Sequence, residues 1–352
     1  MRVLGIDPGT GSFDFFGMED DRIIILDTAL AVPEVTQNPQ IILNTIRSAF
    51  PLDAIVGPSG YGLPVTSIKD IGEKELNLMV PDDQSIPLYD NIRMVLRLMK
   101  EDNFPVYFTP GVIHLSTVPE YRKANKMDMG TADKVCCTVL AMRDQAEVYN
   151  IDYKETSFIL VELGYAFNAI IGVEKGKIVD GSGGTAGGPG FLTLGCMDSE
   201  LAIRLGKFPG TVLFTGGAKD AGDQTDLTPE DMAKNSYLYP ASWNMLLEGV
   251  VKGAAAMMTV VERPREIILS GRLSRIPEIA DALEMRLRRF GKVRLIGRKA
   301  RVAKEAAEGA YIIANGLIHG KYKNLLETIE LKKASGTMFD HILIKGAEVT
   351  KP

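Results

Sequence analysis

MRVLGIDPGTGSFDFFGM, residues 1–18, is the stretch on which the fold turns. Val3, Leu4 and Ile6 are apolar and β-favouring, and the run stops at Asp7, followed by Pro8 and Gly9. Phe13, Phe15 and Phe16 resume an apolar pattern after Gly9-Thr10-Gly11-Ser12. The spacing predicts a strand, a tight turn and a second strand, with Asp7 at the end of the first. Small residues and free backbone N–H groups let such a turn approach a phosphate closely. Asp7 beside that phosphate is tolerable mainly where a divalent metal is also present. The same letters also spell an ordinary hairpin whose Asp starts the turn.

Working outward, 23–26 is expected as a third strand and 38–50 as a helix, started at Asn38-Pro39 with Ile41, Ile42, Ile46 and Ala49 at helical spacing. Residues 53–56 are expected as a short strand. The stretch 57–88, rich in Gly, Pro and Asp, is expected to lie as an excursion over a cleft. A helix over 89–103, a strand over 106–108 and a helix from about 131, with Thr131 as N-cap, follow.

A second series then begins. Residues 157–162 (SFILVE) form an apolar strand ending in an acid, then Gly164, and 166–173 and 176–179 read as further strands. An apolar strand, an acid and a glycine thus occur near residue 6 and again near residue 161, which suggests two related domains. A helix over 242–261, a strand over 266–269 running into Ser270-Gly271-Arg272, a helix from 276, a strand over 293–296 and a helix over 301–318 complete the pattern. The alternation predicts an α/β fold with a mixed sheet in each half. The expected domains are 1–150, with the tail 320–352 as a candidate completion, and 151–319. Ligand groups would come from strand ends facing a cleft between them.

A chain of 352 residues exceeds the usual limit of one core, in keeping with two domains. Its 45% apolar and 24% charged content is that of a soluble globular protein, and the net charge of -5 argues against general nucleic-acid binding. The 13 Lys/Arg against four Asp/Glu in 263–304 are read as a solvated surface. No apolar run is long enough to span a membrane, and residue 2 enters a strand with no signal-peptide core. Three cysteines (Cys136, Cys137, Cys196) and three histidines make neither a disulfide framework nor a zinc pattern. These totals predict a reduced, cytoplasmic protein with no membrane or nucleic-acid partner.

Three glycine-rich turns follow expected strands: 9–12, Gly164 with the loop 181–188 that holds Gly183-Gly184-Thr185, and Gly271. None fits G-x-x-x-x-G-K-S/T, and the first leads into a strand, unlike a dinucleotide-binding turn. A triphosphate between two hairpins, its nucleoside against Ser270-Gly271-Arg272, suits the pattern better. A further candidate is Met129-Gly130-Thr131-Ala132-Asp133-Lys134 at the start of a helix. A carboxylate in a first helical turn is favourable without any function. Arg122, Lys123, Lys126 and Lys134, however, crowd this one, as phosphate and an anionic substrate would require.

These residues resemble the acetate and sugar kinase, heat-shock-cognate and actin superfamily, through Gly5–Ser12, Glu162–Asn168 and Leu269–Arg272 in that order. The chain is also similar to an archaeal family labelled butyrate-kinase-like, and the segment at Asp133 to type III pantothenate kinases. The resemblance implies two duplicated ribonuclease-H-like domains around ATP and Mg2+. It implies Asp7 and Glu162 as metal carboxylates, and Gly9, Thr10, Gly11, Ser12, Glu162, Gly164, Gly183, Gly184, Thr185, Ser270, Gly271 and Arg272 as nucleotide-binding residues.

The implied activity is phosphoryl transfer from ATP to a small anionic substrate, a short carboxylic acid being one candidate, with a homodimer as a candidate assembly. Asp7, Asp133, Arg122 and Lys134 are the candidate catalytic residues. Asp133 would serve as base for a hydroxyl acceptor, whereas Arg122 or Lys134 would neutralise a carboxylate. Two departures stand out: Glu162 occupies a position that is usually Asp, and Tyr165 and Phe167 are bulky where small hydroxyl residues are usual. They leave room for an ATP-binding regulator without catalysis. Gly-Ile-Asp-Pro-Gly-Thr also resembles the start of a Holliday-junction resolvase, in which Asp7, Asp133 and Glu162 would hold two metals. The length and the half-chain echo weigh against that reading.

Overall fold

The computed structural model describes residues 1–57, 60–80, 87–222 and 226–346. The opening stretch forms β1 (Arg2–Pro8) and β2 (Ser12–Glu19), paired antiparallel with Asp7 opposite Asp14. With β3 (Ile23–Ala31), β4 (Ala54–Val56), β5 (Thr66–Ser67) and β6 (Val106–Phe108) they make a six-stranded sheet in the order β3-β2-β1-β4-β6-β5. The second sheet holds β7 (Phe158–Leu163), β8 (Asn168–Glu174), β9 (Lys177–Ser182), β10 (Glu266–Ser270) and β11 (Val293–Leu295), in the order β11-β10-β7-β8-β9. In both sheets an antiparallel three-strand meander is followed by strands parallel to the first, and the first sheet adds β5, antiparallel, at its edge. The echo seen in the sequence is therefore a repeat of topology.

Most of β1 and β7 is apolar without interruption because each strand is covered on both faces. Leu4, Ile6, Phe13 and Phe15 face an outer core with the helices Gln40–Arg47 and Pro87–Glu101. Val3 and Phe16 face the opposite way, into a core shared with Phe158 and Leu160 of the second sheet. Ile159, Val161 and Leu163 turn to a third core under the helix Pro240–Met257. Alternation along the strands then puts Asp7 and Glu162 on the two inner faces.

Two helices fill the space between those faces: Ala132–Tyr149, here the central helix, and Glu305–Leu317, here the bridging helix. Glycines let them approach closely. A Cβ on Gly5 of β1 would lie 2.1 Å from the Ala307 carbonyl oxygen, and one on Gly309 would lie 1.9 Å from that of Cys136. Between the helices, Arg143 and Glu308 pair at 3.0 Å, both buried. The bridging helix follows the second sheet in sequence and covers the first in space.

The segment before it is tied to the first hairpin by three acids. Asp27 accepts the backbone N–H groups of Arg301, Val302 and Ala303, and Asp14 accepts that of Lys304 at 3.0 Å. Asp21 accepts from Lys299, Lys321, Tyr311 and Tyr322; burial alone would raise its carboxyl, and these donors hold it well below the usual range. The basic stretch 263–304 is therefore not uniformly solvated.

Some elements differ from expectation. The helix expected over 38–50 is found as Gln40–Arg47, and a further short helix, Val32–Gln37, precedes it, the two separated where the residue before Pro39 leaves helical geometry. The third strand runs on to Ala31. Within the expected excursion 57–88, the described part contains β5 and a helix Glu73–Met79, while 58–59 and 81–86 lie outside the described residues. Thr131 precedes the central helix as expected, but its hydroxyl donates to Asp133 instead of capping the backbone. Among the described residues no helix is long and apolar enough to cross a membrane.

Candidate functional site

The ends of β1 and β7 open into one cleft. The turn after β1 closes with Gly9 N–H donating to the Ser12 carbonyl at 2.9 Å, and the turn after β7 closes with Gly164 N–H donating to Phe167 at the same distance. Gly9, Thr10, Gly11 and Ser12 line the cleft on one side, and Gly164, Gly184 and Thr185 on the other. Asp133 and Lys134, at the start of the central helix, lie between them.

Four acids share two lysines. Lys304 Nζ lies 3.0 Å from Asp7 Oδ2 and 3.1 Å from Asp14 Oδ2. Lys134 Nζ lies 2.6 Å from Asp133 Oδ2 and 2.7 Å from Glu162 Oε2. Burial pushes the Asp7 carboxyl upward, and the charges of Asp133 and Asp14 add to this against the pull of Lys304. Burial would also raise Asp133, but Lys134 and the Thr131 hydroxyl outweigh it and hold Asp133 low. Both lysines, which burial alone would lower, are raised by their carboxylates and stay charged.

Glycines leave room where these groups crowd. A Cβ on Gly9 would sit 2.2 Å from Lys304 Nζ. Gly271 has φ +89°, and a Cβ there would meet Leu163 O at 2.4 Å and Glu162 Oε1 at 2.5 Å. Arg272 next to it lies over the Tyr165 ring at 5.0 Å and close to Gly11, so one guanidinium touches both hairpins. The bulky residues of the second turn are thus packed: Tyr165 under Arg272, and Phe167 against Phe214 at 5.2 Å.

Three expected residues stand apart from the lining. Arg122 donates to the Val179 carbonyl at 2.8 Å and lies 3.9 Å from Asp180. Gly183 packs on Asp128, and Ser270 is buried behind Gly271. Lys304, Asp14, Asp128, Tyr61 and Phe214 were not singled out from the sequence. Lys304 was hidden in the basic stretch; its signal is position, one residue before the bridging helix.

The profile of a family described as "protein of unknown function (DUF1464)" matches residues 5–344. The chain belongs to that family. No curated protein matches it. Among solved structures, the fold is similar to a propionate kinase from Francisella tularensis subsp. tularensis SCHU S4, with TM-score 0.64, 15% identity, 88% of this chain and 98% of that one covered. It is similar to acetate kinase from Entamoeba histolytica, with TM-score 0.60, 15% identity, 83% and 87% covered. A ROK family protein from Streptococcus pneumoniae TIGR4, solved with sucrose, gives TM-score 0.51, 13% identity, 93% and 98% covered. This DUF1464 chain therefore has the fold of the acetate and sugar kinase, heat-shock-cognate and actin superfamily, as its motifs implied.

Glu162 gives a pH signature. Burial raises its carboxyl from the ordinary value near 4.5 to about 7, against the pull of Lys134. Below pH 4.5 it is protonated folded or unfolded and makes no difference. From about pH 4.5 to 7 the unfolded chain ionises it while the folded chain keeps its proton, so stability falls across that window and is level above it. At about 1.4 kcal/mol per unit this amounts to on the order of 3 kcal/mol. Glu162→Gln is thus expected to gain stability over the wild type between pH 5 and pH 8, measured by urea unfolding at both; a difference that does not grow with pH contradicts the assignment.

Proposed function

We propose that this protein is an ATP-dependent kinase for a small molecule. The supporting observation is the paired arrangement: two hairpins of one topology face each other across a cleft, each with a glycine turn and a carboxylate–lysine pair at its foot. The N–H groups of 9–12 would take phosphate oxygens. Lys304 and Arg272 supply positive charge at the same turn, Arg272 also reaching the second hairpin.

Among the described residues, no group of three His, Cys, Asp or Glu side chains is placed to hold a metal alone. Mg2+ is commonly held by one or two carboxylates, substrate phosphates and water, which asks less of the protein. Asp7 fits that role: burial first, and then the charges of Asp133 and Asp14, raise its carboxyl against the pull of Lys304, and a cation bound there would offset them. Bound there, Mg2+ would neutralise phosphate charge during transfer. Glu162 fits it less well, with Lys134 already at 2.7 Å. Asp133, kept ionised, would orient the acceptor and take its proton late in a loose transition state.

A short carboxylic acid, the acceptor named for the acetate and propionate kinases, would require a cation of its own. Both candidates for that cation are engaged: Arg122 lies outside the lining and Lys134 is bracketed by Asp133 and Glu162. ATP with Mg2+ is expected to raise the melting temperature by several degrees, since a ligand at 100 times its Kd stabilises by about 2.7 kcal/mol. A melt unmoved by ATP and Mg2+, with no ADP release on any acceptor, defeats the kinase reading.

A further inference from the structure

Resting on the kinase reading, we propose that the phosphoryl acceptor is an alcohol carrying a second hydrogen-bond donor, and that Asp128 is the residue that recognises that donor. Asp128 lines the cleft and is only 8% exposed. Its Oδ1 accepts Gly130 N–H at 2.8 Å, while Oδ2 has only long contacts, 3.4 Å, from Thr185 N–H and Oγ1. Among the described residues it has no ion-pair partner. A buried carboxylate left this way is costly unless a ligand completes it. The chain even makes room for it, since a Cβ on Gly183 would lie 1.9 Å from Oδ1.

The surroundings select the same class. Asp133 lies near enough to both Asp7 and Asp128 for its charge to raise each of them. Phe167 and Phe214, with Gly184 packed on Phe167, offer an apolar wall for the acceptor's carbon skeleton. An anionic acceptor would instead meet two carboxylates. Two described cations of the lining are already matched, Lys304 by Asp7 and Asp14 and Lys134 by Asp133 and Glu162, and Arg272 stands beside the phosphate turn with Glu230 at 3.9 Å. In the step itself the acceptor hydroxyl oxygen bonds to the γ-phosphorus. The bond from that phosphorus to the bridging oxygen breaks, ADP leaves with the electron pair, and the hydroxyl proton passes to Asp133.

The test uses the full-length protein with ATP and Mg2+, and follows ADP release with glycerol, glucose, mannitol and ethanolamine against acetate, propionate and butyrate. Turnover is expected with at least one of the alcohols and with none of the carboxylates. Asp128→Asn is expected to raise the KM for that alcohol tenfold or more, with the KM for ATP within threefold, and to melt no lower than the wild type. Turnover of a carboxylate, or a nucleotide-induced melting shift without turnover of any alcohol, overturns the acceptor assignment and leaves ATP binding standing. A lower melting temperature with an unchanged acceptor KM makes Asp128 structural and overturns its role. Only a melt insensitive to ATP and Mg2+ removes the kinase reading as well.

Discussion

Asp7→Ala is expected to reduce ATP-dependent ADP release by about a thousandfold or more and to leave the protein folded. The two halves of this expectation have separate origins. On the proposed kinase reading Asp7 is the carboxylate that holds a metal-bound phosphate, so its loss would remove charge stabilisation at the transferring group. Its contribution to folding is slight, because burial and the neighbouring Asp133 and Asp14 already oppose its ionisation. After truncation Lys304 keeps Asp14 at 3.1 Å, so no buried cation is stranded. Lys304→Ala should behave oppositely in the melt, leaving two buried acids without their cation. Initial rates and melting curves on the same two variants check both halves. A folded Asp7→Ala with wild-type turnover removes Asp7 from the chemistry.

Gly5→Ala should be among the most damaging single methyls at the described glycines, with an expected loss on the order of 3 kcal/mol or more. The added carbon would meet backbone on both counts, the Ala307 carbonyl at 2.1 Å and the Tyr311 amide at 2.2 Å. Neither can rotate away, so the bridging helix must move off the sheet. Gly309→Ala attacks the other side of the same helix, against Cys136 O at 1.9 Å. Gly9→Ala provides the contrast: its nearest neighbour is the end of the Lys304 side chain, which can swing aside. Urea midpoints should therefore fall far for Gly5→Ala and Gly309→Ala and little for Gly9→Ala. Equal losses at all three would show that close helix–sheet contact is not what these glycines supply.

What could be read from the letters was what local pattern controls. The apolar runs of β1 and β7 and the acid ending each one announce two like hairpins, and the sheets repeat that order. Ser270-Gly271-Arg272 could be placed beside the cleft because it follows a strand directly, and Gly271 and Arg272 line it. Residues brought in over long sequence distances left no such mark. Lys304 reaches Asp7 from the far end of the chain, and in sequence it is one more base in a basic stretch. Arg122 misled for the reverse reason: close to Asp133 in sequence, it is turned toward Val179 and Asp180 in space, while Lys123 pairs with Glu120 and Lys126 donates to the Arg122 carbonyl. Asp128 gives no signal at all, since its isolation is visible only once the neighbours that fail to pair with it are known.

The position of the bridging helix also matters while the chain is being made. The first sheet is complete in sequence at Phe108, yet the helix that covers its inner face begins at Glu305. A nascent chain therefore leaves the ribosome with Val3 and Phe16 uncovered while nearly two hundred further residues are added. At about 5–20 residues per second this lasts on the order of ten seconds or more. For that interval one apolar face of the sheet is open to chaperones, to other nascent chains and to proteases.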